Sequence, residues 1–450
     1  MKLVVLVMLF VIMLFVKYAT MGQLADISSI ATISLGFIMV CAFLAGKWIL
    51  RAGFPLITGY IIAGLFCGPQ VLGLFSESVI SELKLIDGIA LSLIALAAGG
   101  EIRWAEVKRS LGGLISITCF QSLLTLVGIF ITVILAMRAI PFLWNLPSSV
   151  SISAALLLAV IATANSPSTV IAVITELRAQ GRVTESILGV TVLKDVLVII
   201  AFAAAISFSA YFTGPVTAFD TSYIIGAFRE ILVSFIGGVL LGFLLIFYIN
   251  RVKGELALFM VGIAYLSTEL FHHFGLHPLL ATVVAGFIVQ NFSPHGRKFI
   301  ESLERASLPV FVIFFAITGA GLDLTYLGEL WKLVLLIVIA RGFWIFAGTF
   351  IGASLARELD DIRRTSWLGY IPQAGVSIGL SVLVASTYPG WGEVVKDLAI
   401  TIIAINQIIG PIGLKYAIVT AGEAQDRGGD EEEDKGPVTP FHVMIRSYRI

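Results

Sequence analysis

The sequence predicts an all-α polytopic membrane protein of about fourteen transmembrane helices, arranged as inverted repeats around two interrupted helices. Three observations carry that expectation. The 450 residues are 58% hydrophobic and only 13% charged, with a mean hydropathy of +1.00, whereas a soluble domain carries roughly a quarter charged residues. Apolar runs long enough to span a bilayer recur along the chain. Basic residues crowd onto alternate loops, as in a chain threaded through a membrane.

Spans centre near residues 9, 37, 61, 92, 125, 162, 196, 237, 264, 284, 314, 343, 376 and 408 when hydropathy is read in windows of about 19 residues. The first, LVVLVMLFVIMLFV after Lys2, reads either as an extra N-terminal helix or as a signal-like segment, and sets residues 1–26 apart. Counting loops alternately, one side holds Lys47, Arg51, Arg103, Lys108, Arg109, Arg178, Arg182, Arg251, Lys253 and several more. The other side holds only Lys17, Lys84, Arg138, Lys332 and Lys396. The rich side is therefore expected in the cytoplasm, with the C-terminus, for a multi-pass protein of the cell (inner) membrane.

The second to seventh spans and the ninth to fourteenth read as two related halves. GFPLITGYIIAG at Gly53 to Gly64 is echoed by GLHPLLATVVAG at Gly275 to Gly286. An odd number of spans separates matching elements, so the halves have opposite topology, a hallmark of secondary transporters. The expected division is a first repeat at 27–211, a linker helix at 212–254, a second repeat at 255–420 and a short tail at 421–450. The tail carries the acidic run Glu431-Glu432-Glu433-Asp434 and reads as a solvated cytoplasmic end.

Spans six and thirteen are each broken near mid-depth, by Thr163-Ala164-Asn165-Ser166-Pro167-Ser168-Thr169 and by Gly369-Tyr370-Ile371-Pro372-Gln373-Ala374-Gly375. Proline removes a backbone donor, and freed carbonyls and helix ends can coordinate an ion. One such break alone reads more simply as a packing kink. The same break at matching positions of two halves favours an ion site.

Charges inside apolar spans sharpen the expectation. Lys194 and Asp195 stand side by side in GVTVLKDVLVIIAF, and Arg341 lies in span twelve. Each costs roughly 2.5 to 3.5 kcal/mol at the bilayer centre on insertion scales, so such residues usually mark an ion or proton pathway. Arg341 is expected either to clamp the carbonyl ends of a broken helix or to tune Asp195. Thr191, four residues before Asp195, shares its helix face; the simpler alternative is a hydroxyl bonded back to its own helix. Carboxylate, hydroxyl and unwound carbonyls make an all-oxygen environment suited to a hard cation. Gln121, Glu269, His272, His273 and His277 read as helix-contact or interfacial groups, with pH sensing as the alternative.

Other chemistry is poorly supported. The net charge is zero, so no basic surface points to nucleic acid. Cys41, Cys67 and Cys119 have no metal or disulfide spacing. No GxxxxGK loop, HExxH helix or GxSxG elbow appears, so neither ATP-driven pumping nor an intramembrane enzyme is indicated, and no organic cofactor is expected.

Five elements in order, LRAGFPLITGYIIAGLFCGP from Leu50, the broken TANSPST span, Lys194-Asp195, SLPVFVIFFAITGAGLDL from Ser307, and Arg341-Gly342, resemble the monovalent cation:proton antiporter family, nearest its second, Kef-like branch, over roughly Ile27 to Ala421. The resemblance implies the sodium/proton antiporter fold, with two crossed discontinuous helices in a core domain, a dimerisation domain and a homodimer. It implies exchange of sodium or potassium for protons by alternating access, with Asp195 binding cation and proton in turn. Thr191, Thr163, Asn165 and Ser166 would help hold the ion, and Lys194 and Arg341 would tune the site. Lys194 replaces the Asn, Gln or Asp of relatives, which opens a cycle in which it too could release a proton. A sodium-coupled symporter of an organic anion, or a non-transporting membrane sensor, are the rival readings on the same fold.

Overall fold

The computed structural model describes residues 27–83, 85–101, 104–137, 147–213, 222–252, 256–274, 278–322, 327–388 and 390–425. The first expected span and the acidic run at 431–434 lie outside the described residues. All regular structure described is helical: α1 (Ile27–Arg51), α2 (Leu56–Cys67), α3 (Glu77–Leu83), α4 (Leu85–Glu101), α5 (Trp104–Met137), α6 (Ser148–Thr163), α7 (Pro167–Leu177), α8 (Arg182–Thr213), α9 (Ser222–Arg251), α10 (Leu256–His273), α11 (Pro278–Phe292), α12 (Gly296–Ala320), α13 (Leu327–Leu355), α14 (Asp360–Thr365), a 3-10 turn (Ser366–Tyr370), α15 (Gly375–Thr387) and α16 (Trp391–Thr420).

The second to fourteenth expected spans each fall on one of these elements, the sixth on α6 with α7 and the thirteenth on the 3-10 turn with α15. Seven helices among the described residues are long and apolar enough to cross a membrane, joined by shorter apolar ones such as Leu56–Cys67 and Val376–Thr387. Large apolar side chains, Leu240, Phe243 and Phe247 of α9 among them, point outward, a surface suited to lipid. The short α3 and α14 escape a span-length window. Helix α14 begins with Asp360-Asp361 and carries Arg363-Arg364 in its last turn, complementing its own dipole.

The helices form two bundles. One groups α1 to α4 with α10, α11 and α12; the other groups α5 to α8 with α13 to α16. Helix α9 packs on α11 and on α8, joining the two, and a seam of α7 and α16 against α2 and α4 completes their contact.

Within the first bundle, backbones meet where glycine leaves room. A Cβ at Gly64 would collide with Ala316 O, and one at Gly286 with Leu96 O. These are the closing glycines of the two echoed segments. Each therefore does the same work against a different helix, because small residues let membrane helices approach closely.

Beyond α16 the chain turns back onto the bundle that contains it. The Glu423 carboxylate accepts from Val183 N, Thr184 N and Thr184 Oγ1, each at 2.7 Å, so it caps the first turn of α8. Gln180 N donates to Glu423 O and Gln425 N to Leu177 O, both at 3.0 Å.

Overpacking of this kind costs roughly 1 to 3 kcal/mol. Gly64→Ala and Gly286→Ala are therefore expected to lower the thermal midpoint of detergent-purified protein, read by size-exclusion fluorescence. Gly36→Ala, with open space around its Cα, should leave it unchanged; equal midpoints in all three would refute the close-approach role.

Candidate ion-binding site

The first interruption is short. Helix α6 ends at Thr163, Ala164 turns extended (φ −62°, ψ 149°), and α7 restarts at Pro167. Proline stands at the first helical position, where its missing amide proton costs nothing. Ser166 is the N-cap, its Oγ accepting from Thr169 N at 3.2 Å. In the second interruption the 3-10 turn ends at Tyr370, and Ile371 to Ala374 run without regular structure before α15.

The two breaks face each other. Ser166 N donates to Pro372 O at 2.9 Å, and Gln373 Nε2 donates to Ile161 O at 3.1 Å. Asn406 Nδ2, on α16, holds Gln373 Oε1 at 2.8 Å. Helix α16 passes closely here, since a Cβ on Gly410 would sit 2.6 Å from Pro372 Cα.

Arg341 reaches between them from α13. Its Nε donates to Ala162 O at 2.7 Å, Nη1 to Ile371 O at 2.8 Å, and Nη2 to Ala164 O at 3.0 Å and Tyr370 O at 3.2 Å. The side chain is 1% exposed, so its charge is answered by carbonyls of both breaks. Those carbonyls are the ones that helix interruption strips of their ordinary donors.

Lys194 and Asp195 are neighbours in sequence but not on the helix surface, because consecutive residues point about 100° apart. Lys194 is fully buried, and its Nζ donates to Gln121 Oε1 at 2.8 Å and to Asn165 Oδ1 at 3.1 Å. Gln121 Nε2 in turn donates to Thr349 Oγ1 at 3.1 Å. The chain of polar groups thus runs from α13 through α5 and α8 to the first break. Asp195 is 8% exposed, and its Oδ1 has no hydrogen-bond partner.

Two more polar atoms nearby in the fold stand without partners, Thr191 Oγ1 and Asn165 Nδ2. Thr191 does not bond back to its helix, unlike Thr163, whose hydroxyl donates to Ala159 O at 2.9 Å. A buried polar group left unpaired costs about 1 to 3 kcal/mol. The unpartnered carboxylate oxygen and hydroxyl stand one helical turn apart on α8.

Among the sequence candidates, Lys194 and Arg341 each reach the first break directly, and Asp195 follows Lys194 on α8. Glu269 and His273 are exposed; the side chain of His272 and all of His277 lie outside the described residues. Asn406 and Thr349 are not singled out by sequence reasoning, and Gln373 enters it only as a member of the second break. The available signal is the pair Asn406-Gln407, two amides within the apolar run ITIIAINQIIG.

Crossed helix breaks, buried charges between them and an apolar multi-helix shell define an integral membrane transporter. The family model "Sodium/hydrogen exchanger, transmembrane" matches residues 38–419, and the chain belongs to that family. The probable Na(+)/H(+) antiporter GerT of Bacillus cereus is 24% identical over 357 residues, covering 77% of this chain and 85% of GerT. The Na(+)/H(+) antiporter ApNhaP of Aphanothece halophytica is 25% identical over 334 residues, 70% of this chain and 60% of that protein. The sodium proton antiporter MjNhaP1 of Methanocaldococcus jannaschii shares the fold. Its structure at pH 8 gives a TM-score of 0.66 at 20% identity, covering 88% of this chain and 98% of that one. Its electron-microscopy structure gives 0.69 at 19% identity, covering 89% and 99%.

Arg341→Ala would strand four carbonyls at about 1 to 3 kcal/mol each and is expected to abolish recovery of folded protein. Arg341→Lys keeps the charge but has no planar fork to span both breaks, so partial recovery with a lowered thermal midpoint is expected. Wild-type stability of Arg341→Ala would contradict the clamp.

Proposed function

We propose that the protein is a secondary active transporter that exchanges a monovalent cation for protons by alternating access, with Asp195 binding each in turn. The observation that carries this reading is the buried Asp195 carboxylate with an unpartnered oxygen, one turn from the unpartnered Thr191 hydroxyl on the helix whose Lys194 reaches the first break. A carboxylate emptied of protein partners can take a proton or an alkali cation, but not both at once. Thr191 supplies a second oxygen, and Asn165, Ser166 and Thr163 stand at the first break. The relatives named as Na(+)/H(+) antiporters favour sodium; potassium is the alternative cargo.

Both buried cations support exchange over symport with an organic anion. Arg341 spends four hydrogen bonds on carbonyls, and Lys194 spends two on amide oxygens, so neither is turned toward a solute carboxylate. Further parts of the reading are a homodimer, residence in the cell (inner) membrane, and a cytoplasmic C-terminus on the side rich in Lys and Arg.

In proteoliposomes carrying a proton gradient, sodium, potassium or lithium should relieve quenching of a pH-sensitive dye for the wild type. Asp195→Asn, similar in shape but without a titrating oxygen, should show no recovery; undiminished exchange would move the carrier elsewhere. With Asp195 as the one titrating carrier, one proton per cation is expected. No transient current should then appear on a solid-supported membrane under a sodium gradient, and a clear current would assign a second proton to Lys194.

A further inference from the structure

The seam between the bundles includes a charged contact. Glu176, in the last turn of α7, places both carboxylate oxygens 2.9 Å from Leu56 N, the first amide of α2. Pro55 precedes it with φ −63° and ψ 149°, and no side chain of the N-cap residue caps α2. Glu176 therefore brings from the opposite bundle the anionic acceptor that a helix N-terminus favours. Helix α7 spans 11 residues. At its start stand Asn165 and Ser166 of the first break, and near its end stands Glu176, so this rigid half-helix couples the candidate ion site to the seam.

We propose that Glu176 on the α2 N-terminus is a latch between the bundles, closed here on the membrane side that carries Arg51 and Arg178. It releases each time the bundle holding Asp195 shifts against its neighbour, and it rests on the alternating-access reading above. Apolar packing along a seam can slide with little directional preference, whereas a charge-assisted hydrogen bond exists in one arrangement and is lost in the other. Such a contact biases the two-state equilibrium by its differential energy alone. It leaves the ion ligands untouched.

The test is to lock the contact. In a background with Cys41, Cys67 and Cys119 replaced by alanine, Leu56→Cys and Glu176→Cys are bridged by a short bismaleimide in proteoliposomes, and sodium-driven proton release is followed by dye fluorescence. Bridging is expected to slow exchange roughly tenfold or more, since the closing motion gates turnover, while reagent on each single-cysteine control has no effect. Exchange that survives bridging overturns the latch alone. Absence of exchange in untreated wild type overturns the transport reading, and the latch with it. Leu56→Pro provides a check that needs no cross-linker, because it deletes the donor at a position where proline suits a helix start and Pro55 already has the backbone shape required before proline. It should shift the sodium concentration for half-maximal rate by about threefold to tenfold, the scale of one charged hydrogen bond lost from one of two states. Wild-type values in Leu56→Pro also overturn the latch.

Discussion

One guanidinium holds the architecture together at mid-depth. Breaking a helix inside a membrane frees carbonyls that have no water to turn to, and this chain breaks two helices at the same place. Arg341 answers both with donors to Ala162, Ala164, Tyr370 and Ile371. Lysine could not do this, because its donors radiate from one atom. The arrangement also explains how a permanent charge survives at 1% exposure. Oriented carbonyl dipoles replace the hydration that burial removes.

With the carbonyls engaged, the remaining polar groups separate into two kinds. Lys194, Gln121, Thr349, Gln373 and Asn406 are tied into hydrogen bonds that fix helix to helix. Asp195 Oδ1, Thr191 Oγ1 and Asn165 Nδ2 are not. Buried polar atoms in a settled core are normally paired; the unpartnered ones also include the Thr118, Ser122 and Thr125 hydroxyls and the Gln407 amide, and Asp195 Oδ1 is the one carboxylate oxygen with them among the described residues. Glycine contacts serve both bundles, letting backbone meet backbone at Gly64 and Gly286 in the first and at Gly348, Gly352 and Gly410 in the second.

Much of this was legible in the chain itself, for a physical reason. Charges and prolines are so unfavourable in lipid that Lys194, Asp195, Arg341, Pro167 and Pro372 stand out without any knowledge of their neighbours. Pairing is different, because who meets whom depends on tertiary placement. Gln121 is one amide in an apolar run, and only the fold brings it to Lys194. Thr163 and Thr191 look alike in sequence, yet one hydroxyl is bonded to its own helix and the other is unpartnered. Acids at helix ends are silent for another reason. Glu176 and Glu423 sit where carboxylates are ordinarily solvated, so nothing in the linear pattern separates them from surface residues.

The turn after α16 carries a practical consequence. Glu423 occupies the free amides that begin the helix bearing Asp195, though the two are far apart along the chain. Truncation at Thr420, where helical structure stops, would discard the acceptor that finishes a distant helix. A shortened chain would therefore need to extend at least to Gln425, whose amide still anchors to Leu177.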